Sequence, residues 1–262
     1  MYRNHSVGIV VPSYNEERRV GLVIAGIPSY VDRVYVIDDA STDRTAAVVQ
    51  DWQPRDSRVM LIGHDVNRGV GAAIATGYAC ALADGADIAA VFAGDNQMDP
   101  VELPRLLDPI IDGQADYTKG DRTSDRSNLK GMSYWRRFGN WLLRWLTRIA
   151  VGNMTLNDPQ NGYTAASRAL LAELPLDTLY PRYGYCNQLL LWVGMHHRKT
   201  LEVPMPARYQ GEKSKIRYST YIPKVSWLLL QLYVTRVTCH GSKATDNAEV
   251  STSVVEHCHA RH

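Results

Sequence analysis

Two carboxylates follow one short apolar run of the chain. Residues 88 to 92 are apolar, and Asp95 and Asp99 come soon after them, where a buried strand would meet its loop. An open α/β sheet places its chemistry at such positions, and carboxylate oxygens are ligands for hard divalent cations. Asp99 precedes Pro100 at a predicted helix start, so it is equally suited to cap that helix. The spacing therefore indicates a polar site that depends on Asp95.

Polar residues end the other predicted strands as well. Four apolar runs alternate with four helical patterns: strands over 7–11, 34–37, 59–62 and 88–92, and helices over 16–26, 46–50, 70–83 and 101–111. This alternation predicts an α/β fold with right-handed crossovers and a mostly parallel sheet flanked by helices. We expect the strand ends to form one polar edge, made of residues 13–17, 38–39, 67–68 and 95–99.

A dinucleotide-binding sheet would need a GxGxxG turn after its first strand. Here that turn begins Pro12-Ser-Tyr-Asn-Glu and contains no glycine. Gly69-Val-Gly71 is only a fragment of the pattern, and it lies in the third crossover. Close packing of the following helix explains these glycines better than cofactor binding does.

Composition bounds the class of protein. The 262 residues are 45% hydrophobic and carry a net charge of +2, which predicts a folded α/β domain and gives no indication of nucleic-acid binding. The four cysteines are scattered without a CxxC pair, so we expect neither a zinc site nor a disulfide framework, and a reducing compartment. The first residues lack the pattern of a signal peptide. We therefore expect the site to face the cytoplasm.

Two later segments have the pattern of helices at a membrane surface. Residues 131 to 151 place an apolar stripe on one helical face and basic residues on another. The stripe is Trp135, Phe138, Trp141, Leu142, Trp145, Leu146 and Ile149; the basic residues are Arg137, Arg144 and Arg148. A helix packed on its own sheet would show a similar stripe, so both interpretations stay open. Residues 225 to 235 form a second apolar stretch, too short to span a bilayer.

Five motifs occur in order along residues 10 to 168. They read VVPSYNEE, VIDDASTDRT, NRGVGAAIATGY, AGDNQMDP and DPQNGYTAASR. Together they resemble the family 2 glycosyltransferases with the Rossmann-like GT-A fold, and among these the polyprenol-phosphate sugar synthases of the dolichyl-phosphate mannosyltransferase type. The resemblance covers about residues 5 to 235. It implies an inverting transferase that moves a hexose from a UDP- or GDP-linked sugar to a polyprenyl phosphate at the cytoplasmic face of a membrane.

The resemblance also implies roles for particular residues. It assigns donor binding to Pro12, Tyr14, Glu16, Asp39, Asp95 and Arg122, the last facing the diphosphate. It assigns Mg²⁺ or Mn²⁺ to Asp95 and Gln97, and acceptor binding to Gln160, Arg208 and Lys215. Ala93 stands where the family pattern has a second carboxylate, so we expect weaker metal affinity, which the basic residues Lys119 and Arg122 of the next loop could partly offset. Helix capping and loop solvation remain the alternative for Asp38 and Asp39.

Asp158 resembles the acceptor-side aspartate of the family, a candidate general base. A phosphate monoester has a second pKa near 6 and is mostly ionised at neutral pH, so such an acceptor needs little proton abstraction, whereas a sugar hydroxyl needs a true base. Asp158 could then orient the acceptor instead, or simply form an Asp-Pro turn. Transfer to a glycan hydroxyl and a non-catalytic nucleotide-sugar-binding homologue stay open as alternative functions.

The expected organisation has three parts. Residues 1–218 form the GT-A glycosyltransferase domain, 219–238 an amphipathic interfacial helix, and 239–262 a polar tail. The composition of that tail cannot bury enough apolar surface to order it.

Overall fold

A computed structural model describes residues 1–123, 134–206 and 218–239. The seven strands are β1 (Val7–Ser13), β2 (Arg33–Asp38), β3 (Val59–Gly63), β4 (Ile88–Val91), β5 (Tyr117–Asp121), β6 (Thr164–Ser167) and β7 (Thr200–Pro204). The helices are α1 (Val20–Gly26), α2 (Thr45–Trp52), α3 (Val70–Ala83), α4 (Leu103–Ile111), α5 (Tyr134–Val151), α6 (Arg168–Glu173), α7 (Tyr185–Met195) and α8 (Tyr218–Cys239). Two short 3₁₀ turns, Pro100–Glu102 and Leu176–Thr178, complete the described elements.

The strands form one sheet in the order β3-β2-β1-β4-β6-β5-β7. Neighbouring strands are parallel except that β6 runs antiparallel to both β4 and β5. The predicted mostly parallel sheet is thereby confirmed. The chain winds outward in opposite directions from β1 and β4, and the crevice beyond the carboxyl ends of such a strand pair is where open α/β sheets bind ligands.

The sheet is the middle of three layers. Alternate residues of β1 enter opposite cores: Ile9 and Val11 pack with α1, α2 and α4, whereas Val10 packs with α3 and α7. Because β1 is covered on both faces, it is apolar almost throughout. Helices α5, α6 and α8 also pack in the core that contains Val10.

Helix α3 lies very close to its neighbours, as the small residues of its sequence predict. A Cβ added at Gly77 would lie 2.2 Å from a methyl carbon of Val10, and one at Gly71 would lie 2.1 Å from the carbonyl oxygen of Tyr180. The amides of Gly71 and Ala72 donate to the carbonyl of Pro181. The Gly69-Val-Gly71 fragment is therefore a packing feature.

Three expectations need adjustment. Helix α1 begins at Val20 rather than Glu16, and the amides of Glu16 and Glu17 donate to the side chains of Thr45 and Asp43 at the start of α2. Cys80 is disulfide-bonded, a single bridge that the expectation of no disulfide framework did not include, while Cys186 is a buried free thiol. Helix α8 is longer than the predicted apolar stretch at both ends.

No helix within the three described segments is long and apolar enough to cross a membrane. The expected polar tail lies outside the described residues from position 240 onward.

Candidate active site

The end of strand β1 touches the loop after β4 at the predicted polar edge. The amide of Gly94 donates to the carbonyl of Pro12 at 3.3 Å, and a Cβ added at Gly94 would lie 2.7 Å from the hydroxyl of Ser13. A side chain at position 94 would force this loop away from β1. Glycine there brings Pro12 beside the loop that carries Asp95, and Tyr14 is exposed next to them.

The loops after β1 and β2 are joined by side chains. Asn15 accepts a hydrogen bond from the amide of Thr42 at 2.8 Å, and Thr45 accepts one from the amide of Glu16 at 2.8 Å. Asn15 and Ala40 adopt left-handed backbone conformations, with φ of 55° and 58°. For alanine this conformation is costly, and such strain clusters at functional sites. The first two motifs therefore form one unit, in which Glu16 is buried and paired with Arg19.

Asp39 is buried and held by three hydrogen bonds. Its Oδ1 accepts from His64 Nδ1 and from the amide of Arg68, both at 2.8 Å, and its Oδ2 accepts from the amide of Gly69 at 2.7 Å. Burial alone would raise the pKa of Asp39, but the hydrogen bonds from His64 and the two amides outweigh it and lower that pKa. Asp39 thus links the end of β2 to the two residues that precede α3, and it is ionised at neutral pH. His64 was missed by the sequence reasoning.

The Asp95 loop supplies few protein ligands for a metal. Asp95 Oδ1 accepts a hydrogen bond from the amide of Gln97 at 3.1 Å, and Asp99 caps the 3₁₀ turn through the amide of Val101. Among the residues that the structure describes, no group of three or more His, Cys, Asp or Glu side chains is placed to hold a metal ion. The carboxylate of Asp95 and the amide oxygen of Gln97 are nevertheless the hard donors that Mg²⁺ or Mn²⁺ takes when substrate phosphates and water complete its shell.

The Asp95 loop is linked to the Asp158 loop. Tyr163 donates its hydroxyl hydrogen to the carbonyl of Asp99 at 2.9 Å, and its ring packs edge-on against Phe92. Asn161 donates to the carbonyl of Gly120 at 2.7 Å. These contacts join the fourth and fifth motifs at the same edge of the sheet.

Asp158 and Arg122 form a two-point ion pair. Arg122 Nε lies 2.7 Å from Asp158 Oδ2, Arg122 Nη2 lies 3.1 Å from Oδ1, and the Arg122 amide also donates to Oδ2. Burial would raise the pKa of Asp158, but the charge and hydrogen bonds of Arg122, with the charge of Lys119, outweigh burial and lower that pKa. A carboxylate with a lowered pKa is a poor proton acceptor.

Two further charged residues, Lys119 and Glu202, contact the backbone beside this ion pair. Lys119 lies on β5 rather than in the following loop, fully buried, and donates its ammonium hydrogen to the carbonyl of Asp158. Glu202 on β7 accepts from the amides of Asn157 and Asp158 at 2.6 and 3.0 Å. The expectation that Lys119 lies in a loop and offsets the charge of a bound diphosphate is therefore wrong. Its ammonium group is buried and contacts the backbone of Asp158. Its position in a buried strand was the signal that could have revealed this.

The predicted acceptor residues are only partly described. Gln160 donates to Asn187 of α7 at 2.9 Å, in a buried polar contact that also includes Thr147. Arg208 and Lys215 lie outside the described residues.

Helices α5 and α8 pack against each other and share an apolar surface. Leu146 and Ala150 of α5 face the core, as Val225 and Leu229 of α8 do. Other large apolar side chains of the two helices are exposed: Trp141, Leu142, Trp145, Ile149, Trp227, Leu230, Tyr233, Val234 and Val237. The predicted stripe is thus split, because Leu146 packs inward while Trp141, Trp145 and Ile149 face outward. The side chains of Trp135, Arg137 and Phe138 lie outside the description.

The sequence is similar to several curated proteins. It is 28% identical over 214 residues to a UDP-N-acetylglucosamine–dolichyl-phosphate N-acetylglucosaminyltransferase of Methanococcus voltae, covering 77% of this chain and 85% of the relative. It is 28% identical over 217 residues to a dolichyl-phosphate hexose transferase of Haloferax volcanii, covering 82% and 88%. An undecaprenyl-phosphate mannosyltransferase of Micrococcus luteus is 26% identical over 199 residues, with coverage of 75% and 81%.

The fold is similar to solved structures as well. Glucosyl-3-phosphoglycerate synthase from Mycobacterium tuberculosis, crystallised with Mn²⁺, uridine diphosphate and phosphoglyceric acid, superposes with a TM-score of 0.64 at 20% identity, covering 89% of this chain and 78% of that one. This similarity confirms the predicted GT-A fold. The family model described as glycosyl transferase family 2 matches residues 8–174. The chain therefore belongs to glycosyl transferase family 2.

Proposed function

We propose that this protein transfers a hexose from a UDP- or GDP-linked sugar to a polyprenyl phosphate at the cytoplasmic face of a membrane, with inversion at the sugar carbon. The named relatives support the acceptor class, since their names specify dolichyl or undecaprenyl phosphate. The site residues of this chain supply further support from their own chemistry.

The observation that carries the proposal is the ion pair between Asp158 and Arg122. A sugar hydroxyl must lose its proton as it attacks, so an enzyme acting on one needs a competent base. The Asp158 carboxylate is occupied by Arg122 and its lowered pKa makes it a weak base. A phosphate monoester attacks through an oxygen that is already ionised at neutral pH. The pairing of Asp158 with Arg122 therefore suits a phosphate acceptor better than a glycan hydroxyl.

On the donor side, the joined β1 and β2 loops would bind the nucleoside. Pro12 and Tyr14 border the crevice between β1 and β4, and the ionised Asp39 can accept a hydrogen bond from the base or the ribose. Arg122, held by Asp158, would present its guanidinium to the diphosphate.

Asp95 and Gln97 would hold Mg²⁺ or Mn²⁺ together with oxygens of the donor diphosphate. A divalent ion at this position supplies positive charge that stabilises the departing nucleoside diphosphate. Because Ala93 provides no carboxylate, we expect the ion to bind weakly without nucleotide and more tightly with it.

The exposed apolar surface of α5 and α8 would rest on the membrane. Tryptophan and tyrosine rings with neighbouring arginines suit the headgroup region of an anionic bilayer. Arg148 lies over the ring of Trp145 and Arg236 over that of Tyr233, each guanidinium carbon 5.6 Å from the ring centre. With this surface on the membrane, the active site would lie near the phosphate of a lipid acceptor.

The test is a transfer assay with radiolabelled UDP- and GDP-hexoses, vesicles containing polyprenyl phosphate, and Mn²⁺. We expect label in the organic extract, and at least about a 100-fold loss in Asp95→Asn. Asp99→Asn is the matched control, because asparagine also caps helices, and it should remain active. Label that never enters the organic phase, or equal activity of Asp95→Asn, would contradict the proposal.

A further inference from the structure

His64 connects Asp39 to helix α3 in the interior of the protein. His64 follows β3, and its Nδ1 lies 2.8 Å from Asp39 Oδ1 while its Nε2 lies 3.0 Å from Thr76 Oγ1. The side chains of His64 and Asp39 are only 5% and 4% exposed. The three residues come from three separate segments of the chain, so the contact fixes their relative positions.

The chemistry of the partners assigns the histidine proton. An ionised carboxylate only accepts hydrogen bonds, so Nδ1 must carry the hydrogen that bonds Asp39. The other ring nitrogen, Nε2, is hydrogen-bonded to the hydroxyl of Thr76. Thr76 thereby orients the ring of His64, and the ring orients the carboxylate.

The carboxylate of Asp39 is almost fully occupied from within the protein. It offers roughly four lone-pair positions, and His64 and the amides of Arg68 and Gly69 use three of them. One position is left to accept from a ligand. Its direction depends on which donors hold the other three.

We infer that His64 is a positioning residue for the nucleotide donor, acting through Asp39 by directing the remaining acceptor position of that carboxylate towards the base or ribose. The inference rests on the proposed function, in which Asp39 binds the nucleoside. His64 touches no reacting atom, so its loss should weaken donor binding and leave the chemical step nearly unchanged.

Two amide replacements separate the hydrogen bond from simple packing. In His64→Asn the side-chain amide nitrogen takes the approximate place of Nδ1 and can donate to Asp39. In His64→Gln the amide lies near the place of Nε2, so it can reach Thr76 but not Asp39. His64→Ala removes both contacts.

The test is calorimetric titration of UDP and GDP into the wild-type protein and the three variants with Mn²⁺, with donor KM and kcat measured where transfer occurs. Loss of one hydrogen bond to a buried carboxylate predicts about a tenfold or greater rise in Kd and KM for His64→Ala and His64→Gln. We expect His64→Asn to stay within about threefold of wild type. The kcat of all three variants should change by less than about threefold.

Thermal unfolding of each variant accompanies the titration. The inference is overturned if His64→Ala binds nucleotide as well as wild type, or if His64→Asn is as weak as His64→Gln at equal stability. Wild-type protein that binds nucleotide but transfers no sugar would overturn the proposed function alone. Wild-type protein that binds neither UDP nor GDP would overturn both.

Discussion

At the scale of single residues, the proposed function depends most on the pairing of Asp158 with Arg122. The sequence motifs indicate that Asp158 is a candidate base. In the structure, however, its carboxylate accepts two hydrogen bonds from the charged guanidinium of Arg122 and fixes the position of that group. A planar guanidinium fixed at two points has one orientation, which a lysine could not reproduce. The proposed role of the carboxylate is therefore to act on catalysis through the arginine.

A double-mutant cycle tests this relation. Asp158→Asn and Arg122→Lys should each lower kcat/KM by about 10- to 100-fold, because each leaves the cation misplaced. If the two residues act as one unit, the double variant should be little worse than either single variant, with a coupling energy of roughly 0.5–3 kcal/mol. Steady-state kinetics measure the cycle. Independent, multiplicative losses would show that Asp158 acts separately from Arg122.

The same pair predicts a dependence of stability on pH. Because the folded protein lowers the pKa of Asp158, its stabilisation is present above the unfolded pKa of about 3.9 and is lost as the pH falls through the folded value. Asp158→Asn should lower the free energy of unfolding by about 1.5–3 kcal/mol at pH 7. The difference from wild type should be smaller at pH 3.5. Urea denaturation at both pH values measures it, and an equal or larger difference at pH 3.5 would contradict the assignment.

At the scale of elements, the site depends on loops and helices that approach closely through small residues. Gly94 lets the loop after β4 contact the end of β1, and Gly77 lets α3 pack closely on β1. The strand and helix pattern of the first half was predictable because buried parallel strands are continuously apolar. The contacts among loops were not, since hydrogen bonds such as Asn15 to Thr42 join positions that no local pattern relates.

Two glycine variants test the packing of α3. Gly77→Ala should lower stability by about 1–3 kcal/mol, because the added methyl group would overlap Val10. Gly139→Ala on α5 is the control: its Cβ would meet no atom within 4 Å, so alanine should stabilise the helix by up to about 1 kcal/mol. Thermal denaturation compares them. Equal melting temperatures would mean that α3 packs less closely than described.

The shared surface of α5 and α8 predicts membrane binding. Replacing Trp141 and Trp227 with glutamine should lower partitioning to anionic vesicles about tenfold or more, because both side chains are exposed, by 48% and 62%, and would lose their contact with the bilayer. The control is Leu22→Gln on α1, which is 60% exposed and outside this surface. Vesicle sedimentation measures the partitioning. Unchanged binding of the double variant would remove these helices from the membrane contact.

At the scale of the whole molecule, the order of the motifs predicted the family and the fold, and the candidate site residues lie at one edge of the sheet. The roles of individual charges were harder to predict. Lys119, His64 and Glu202 act on site residues distant in sequence, and their contacts exist only after β2, β3, β5 and β7 align. The sequence also could not show that Asp158 would meet Arg122 rather than an acceptor.

The proposed function requires an acceptor that arrives already ionised. Transfer of labelled hexose should be compared between polyprenyl phosphate and the uncharged polyprenol of equal chain length, in vesicles of identical composition at neutral pH. With Asp158 held by Arg122 as a weak base, we predict transfer to the phosphate at least about 100-fold faster than to the alcohol. Comparable rates on the two acceptors would contradict this account, because they would require a competent base at the site.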